Sequence, residues 1–114
     1  MKKDPLIYLD HILECIELIK MYVSNMTEED FKNDIAKQDA VIRRIEIIGE
    51  AVKNLPADVK KLYSEVPCKE IAGMRDILIH EYFGVDINQT WQVTQKNIYE
   101  LEQNIKKIKG DYHV

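Results

Sequence analysis

The stretch Ile87–Ile108, INQTWQVTQKNIYELEQNIKKI, carries the most regular pattern in the sequence. Ile87, Trp91, Thr94, Ile98, Leu101, Ile105 and Ile108 follow one another at steps of 4, 3, 4, 3, 4 and 3. An α-helix turns once in about 3.6 residues, so these positions form a single seam along one helix. Asp86 with Gln89 resembles a capping pair at its start. Gly110 is expected to end it, and Lys106, Lys107 and Lys109 suit the negative end of its dipole. A seam of this kind must be buried against other helices, and the rest of the chain supplies them.

Val41, Ile45, Ile48, Val52 and Leu55 repeat at steps of 4, 3, 4 and 3 in a helix that begins near Ile35 and is closed by Pro56. Leu6, Leu9, Ile12, Leu13, Ile16, Ile19, Tyr22 and Val23 recur at threes and fours, which predicts a helix from about Asp4 to Val23 with Pro5 in its first turn. Asp10, Glu14, Glu17 and Lys20 fall on its other side. Thr27 followed by Glu28, Glu29 and Asp30 reads as an N-cap with acidic residues at the positive end of a short helix. Another short helix fits Asp58–Tyr63. Beyond Pro67, Ile71, Met74, Leu78 and Tyr82 mark one face of a helix from Lys69 to about Glu81, broken at Gly84. No segment alternates as a strand does. The chain reads as one all-α domain, residues 1–114, built as a bundle of four main helices with one or two short extra ones. The seams serve as its core, or one of them continues in part across a dimer interface.

With 114 residues the chain is long enough for one domain, which at this size buries roughly two-thirds of its unfolded surface and needs no metal or disulfide staple. Sixteen Lys+Arg against 20 Asp+Glu give a net charge of −4, which excludes a protein that grips nucleic acid through its overall field. A bound polyanion must meet a local site, and DNA is not an expected partner. Cys15 and Cys68 have no metal-ligand spacing and suit a reducing compartment. Asp10, His11, Glu14 and Glu17 interrupt the first apolar segment, so it is no signal peptide, and no window reaches the roughly 18 uncharged residues of a membrane span. The expected location is the cytoplasm.

The groups able to do chemistry gather in Gly73-Met74-Arg75-Asp76-Ile77-Leu78-Ile79-His80-Glu81-Tyr82-Phe83-Gly84. Imidazole moves protons at neutral pH, and guanidinium offers a planar fork for phosphate oxygens. Together they fit cleavage of a phosphodiester without metal or cofactor. Taken as composition alone, an Arg paired to a carboxylate and a hydrogen-bonded helix-end His explain the same residues. His113 lies in the tail. His11 with Glu14 has an i, i+3 spacing open to metal ligands, but one such pair on a polar helix face reads as surface. Tyr22 and Tyr99 read as core or half-buried packing, Trp91 as core, and the three lysines near Gly110 as surface charge rather than part of a site.

Arg75, four residues, His80, one residue and Tyr82 reproduce the Arg-x4-His-x-Tyr motif, and on it the chain resembles the HepT-like toxins, small all-helical HEPN ribonucleases. Val41-Ile42-Arg43-Arg44-Ile45-Glu46-Ile47-Ile48-Gly49-Glu50-Ala51 is similar to the family's second-helix signature. Tyr8-Leu9-Asp10-His11-Ile12 resembles its opening helix, and Val85-Asp86 through Trp91 the segment after its motif. The resemblance implies a HEPN-type antiparallel four-helix bundle that dimerises so that two Arg/His sets line one cleft. It implies metal-independent RNA cleavage leaving 2′,3′-cyclic phosphate, with no cofactor. It also implies a minimal nucleotidyltransferase antitoxin that silences the toxin by transferring AMP to the motif tyrosine. On that resemblance Arg75 and His80 are catalytic and Tyr82 is the AMP acceptor. Asp76 stands where the family often has asparagine; it would either orient Arg75 or weaken its hold on phosphate. Pro67-Cys68 stands where the family tends to have Pro-Trp, a change of packing.

Helix geometry adds a constraint. Residues five apart on a regular helix lie about 140° apart around its axis, so Arg75 and His80 of one chain do not converge on one phosphate. Either the helix deforms near His80 or a second chain completes the site. Arg75 and Tyr82, seven apart, share a face about 10 Å apart along the axis, so a nucleotide on Tyr82 would bring phosphate charge to Arg75 and occupy the RNA path. The reading from another class is a non-catalytic helical module that binds a nucleotide or the partner nucleotidyltransferase.

Overall fold

Proline has no N–H to leave unbonded at a helix start, and Pro5 opens helix α1, Pro5–Val23. In the computed structural model, which describes residues 5–62 and 87–112, α1 is followed by α2, Glu28–Lys32, α3, Ile35–Lys53, and α4, Ala57–Leu62. After the undescribed interval come α5, Ile87–Gln92, a π-helical turn, Val93–Asn97, and α6, Ile98–Tyr112. The architecture is an all-α helical bundle, with no strand among the described residues. The helix expected over Lys69–Glu81 lies outside them. No described helix is long and apolar enough to cross a membrane.

The breaks between helices follow from local hydrogen bonding. Past α1, Asn25 takes a left-handed φ of 64°, which its short polar side chain tolerates, and the chain turns with Met26 N–H donating to Val23 O at 3.0 Å. Thr27 then forms a capping box: its hydroxyl accepts from Asp30 N–H at 3.1 Å while the Asp30 carboxylate accepts from Thr27 N–H at 3.0 Å. Asp34 caps α3 by accepting from Lys37 N–H at 3.0 Å. Gln38 Nε2 donates to the carbonyls of Phe31 and Lys32 at 2.9 and 3.0 Å, satisfying the open end of α2 and tying it to α3.

Two sets of contacts fix helix direction. Lys37, early in α3, lies over the ring of Tyr22, late in α1, and Arg44 meets Cys15 further along, so α1 and α3 are antiparallel. Lys109 pairs with Asp10 and Lys20 with Glu102, so α1 and α6 are antiparallel too. α1 thus lies against both long neighbours. Its Leu9, Ile12, Ile16 and Ile19 are fully buried with Val41 and Val52 of α3 and Ile105 of α6. The seam positions Ile45, Ile48 and Leu55 are buried as expected, and so are Ile98, Leu101 and Ile108. The buried Cys15 joins the same face.

Two expectations change. The even seam predicts a regular last helix, whereas its backbone widens into the π turn at Val93–Asn97. There the Thr94 hydroxyl donates to the Trp91 carbonyl at 2.6 Å, inside the core, taking up an acceptor that the irregular turn would otherwise leave short of a partner. Gly110 does not terminate the helix, which runs on to Tyr112; no described glycine has a positive φ. A Cβ built on Gly110 meets nothing within 4 Å. Gly110→Ala is therefore expected to stabilise the fold by about 0.5 kcal/mol, through a less entropic unfolded chain, seen as a raised urea midpoint at unchanged slope.

Candidate functional site

Arg75, Asp76, His80 and Tyr82 lie outside the described residues, between α4 and α5. What surrounds that interval in sequence is described, and it sorts the remaining candidates. His11 and Glu14 are both exposed on α1, and among the described residues no group of three His, Cys, Asp or Glu side chains is placed to hold a metal ion. Cys15 is buried, and burial pushes its thiol up, which the hydrogen bond with Arg44 only partly opposes. Trp91 packs in the core, its ring centroid 5.4 Å from that of Phe31. Tyr22 is half-buried, while Tyr99 is exposed rather than packed inside, with the Lys20 ammonium 4.8 Å from its ring centre.

In α3, the stretch Val41–Ala51 serves packing. Val41, Ile45, Ile48, Gly49 and Ala51 are buried, and Arg43 reaches solvent beside Glu46 at 3.4 Å. Arg44 is occupied with Cys15.

A short, largely buried charge pair joins α1 to α6. Lys20 Nζ lies 2.6 Å from the Glu102 carboxylate, whose side chain is only 8% exposed, with Glu17 and Lys106 at 3.3 and 3.9 Å on its edges. The Lys20 hydrogen bond outweighs the cost of burial and holds the Glu102 carboxyl below its ordinary range, while the same bond raises Lys20. Sequence pattern missed Glu102 because it flanks Leu101 on the seam, where a charge at the boundary looks like a solvated one. Folding lowers the Glu102 pKa, so its contribution is full above the unfolded carboxyl near pH 4.3 and fades as pH falls through the folded value. Glu102→Gln is expected to flatten the fall of the urea midpoint between about pH 5 and 3. A parental acid limb in that variant would show that other carboxylates account for the fall.

Lys109 is likewise paired, 2.6 Å from Asp10, which agrees with a structural place for the C-terminal lysines. On the outer side of α5 and the π turn, Asn88, Gln92, Gln95, Lys96 and Asn97 are exposed, and Gln95 Nε2 donates to the Thr94 hydroxyl at 3.2 Å.

Residues 12–108 match the ribonuclease HepT-like family. A protein of Methanocaldococcus jannaschii, named for a gamma-glutamylcyclotransferase and a candidate RNase, is 57% identical over 95% of this chain. The chain spans about half of that relative, 49% of its length. A candidate RNase of Caldanaerobacter subterraneus is 50% identical over 93% of this chain and 95% of its own. A Thermococcus cleftensis protein named "Probable ribonuclease HepT" is 46% identical over 96% of this chain and 99% of its own. No solved structure matches the chain.

Proposed function

The chain belongs to the HepT-like ribonuclease family, and from that membership we propose that it is a metal-independent endoribonuclease, the toxin of a toxin–antitoxin pair, acting as a homodimer. The observation that carries the reading is the order Arg75, four residues, His80, one residue, Tyr82, inside the residues that match the family. Arg75 holds the scissile phosphate through its fork and steadies charge as phosphorus gains a fifth oxygen. The ribose 2′-oxygen forms a bond to phosphorus and the bond from phosphorus to the 5′-oxygen breaks. His80 takes the 2′ proton or supplies one to the leaving 5′-oxygen, and water carries the other proton. Asp76 sits next to Arg75 in sequence and sets how firmly the guanidinium engages phosphate.

Neutralisation belongs to a nucleotidyltransferase partner. The Tyr82 phenol oxygen bonds to the α-phosphorus of ATP, pyrophosphate leaves, and the AMP on Tyr82 occupies the RNA path beside Arg75. The whole of residues 1–114 works as one helical domain in the cytoplasm.

Purified protein incubated with RNA in excess EDTA tests the reading. Fragments ending in 2′,3′-cyclic phosphate are the expected result; intact RNA would replace the enzyme with a non-catalytic module that binds a nucleotide or the partner. Intact mass after co-expression with a nucleotidyltransferase encoded beside it is expected to rise by AMP units, and to stay unchanged in Tyr82→Phe.

A further inference from the structure

Between Asp86 and Glu100 the sequence contains no Asp or Glu, the longest such interval in a chain with 20 of them. Helix α5 and the π turn occupy that interval from Ile87 to Asn97. Thr90, Trp91, Val93 and Thr94 fill its inner side. Its outer side exposes Asn88, Gln92, Gln95, Lys96 and Asn97, four amides around one cation. The π turn contributes directly: by taking more residues per turn than an α-helix, it leaves three consecutive side chains, Gln95, Lys96 and Asn97, on the solvent side.

Lys96 differs from the other basic side chains of the described residues. Lys20, Lys32, Arg43, Lys106 and Lys109 each have a carboxylate within 4 Å. Lys37 lies over an aromatic ring and Arg44 against Cys15, while Lys53 and Lys107 have partners of their own. Lys96 has no such partner among the described residues. This face offers an ammonium that no carboxylate of the described residues meets, and amides that both donate and accept.

Those groups suit a nucleic-acid strand. Lysine meets phosphate as a point charge, and Asn and Gln hydrogen-bond phosphate, sugar and base edges alike. We propose that the exposed amide face of α5 and the π turn, centred on Lys96, is a contact surface for the RNA strand outside the scissile phosphate. It rests on the ribonuclease reading and extends it to how an acidic protein holds its substrate. The face adds affinity without base specificity and takes no part in the chemical step.

Lys96→Glu and the milder Lys96→Gln test this in the full chain, with Lys32→Gln as a control on another exposed surface. Far-UV circular dichroism and the thermal midpoint are to stay parental. For a long single-stranded RNA in EDTA, Lys96→Glu is expected to raise KM about 5- to 10-fold at unchanged kcat, and Lys96→Gln to lower the salt slope of log KM by about 0.7, the loss of one phosphate contact. Lys32→Gln is expected to move neither. Parental KM and slope in both Lys96 variants, with the parent active, would overturn the face and leave the ribonuclease reading standing. A parent that neither binds nor cleaves RNA would overturn both. Unchanged RNA kinetics together with a shifted sedimentation coefficient would assign the face to a protein partner instead.

Discussion

His80→Ala is expected to lower RNA cleavage by about 10²- to 10⁴-fold while helical content and thermal midpoint stay parental. Loss of a positioned imidazole removes proton transfer in the transition state and leaves phosphate binding to Arg75, so kcat should fall with little change in KM. A variant cleaving at the parental rate would sink the assignment of His80. The 140° separation of Arg75 and His80 on a regular helix makes a second, sharper result available. Arg75→Ala and His80→Ala chains, each inactive alone, are mixed and allowed to exchange. If one chain supplies the guanidinium and the other the imidazole, the mixed dimer contains one site with both wild-type groups, and activity returns. If both groups act from the same chain across a deformed helix, every site in the mixed dimer lacks one of them, and the mixture stays inactive. The two accounts of the site are thereby separated by one measurement of rate against mixing ratio.

The seams made much of the fold legible, for a reason visible in the burial pattern. Ile45, Ile48, Leu101 and Ile105 are apolar and inside because a helix that packs on two neighbours has no other way to hide them. Caps were legible in part. Thr27 announced itself through the acids after it, whereas Asp34 and Asn54, which close the two ends of α3 by side-chain hydrogen bonds, looked like ordinary surface residues. Two features were invisible for different reasons. The π turn leaves the 4, 3 spacing intact, because Thr94 can lie inside a widened turn as readily as in a regular one. Glu102 is a charge that Lys20, more than 80 positions earlier in the chain, makes tolerable, and no local pattern carries that information. Gly110 misled because glycine ends helices through a positive φ, which no described glycine here adopts.

The candidate site rests on another kind of signal. Tyr82 falls on the same spacing as Ile71, Met74 and Leu78, and Arg75 shares its face, so packing periodicity does not single them out; the assignment of Arg75, His80 and Tyr82 rests on chemistry and family resemblance, and the described residues add the frame on either side. The family match over residues 12–108 covers the α3 stretch Val41–Ala51, whose resemblance was drawn from its sequence, and the structure shows that stretch acting as a packing surface. The outer side of α5 and the π turn exposes Lys96 without a carboxylate partner among the described residues. Its opposite face carries Trp91.

Phe31→Ala is expected to destabilise the protein by about 3–5 kcal/mol, and by the entropy of unfolding of a chain this size to lower the thermal midpoint by about 12–20 °C. Phe31 is fully buried, and it is the buried residue of α2, a helix of 5 residues too short to persist alone. The capping box and Gln38 hold the ends of α2, and the Phe31 ring against Trp91 ties it to α5 through the core. Truncation leaves a cavity and removes the ring contact together. Trp91 is the sole tryptophan, so its emission reports the event: a red shift at native conditions is expected as the indole gains water. Phe31→Leu keeps most of the volume and should cost less than half as much, with emission close to parental. A Phe31→Ala variant that melts within a few degrees of the parent would mean that α2 docks through its caps and that the Phe31–Trp91 contact adds little. If the expected loss is found, the outer face of α5 and the π turn depends on a residue more than 50 positions away, because the same turn that points Lys96 outward is seated by Trp91 on its inner side.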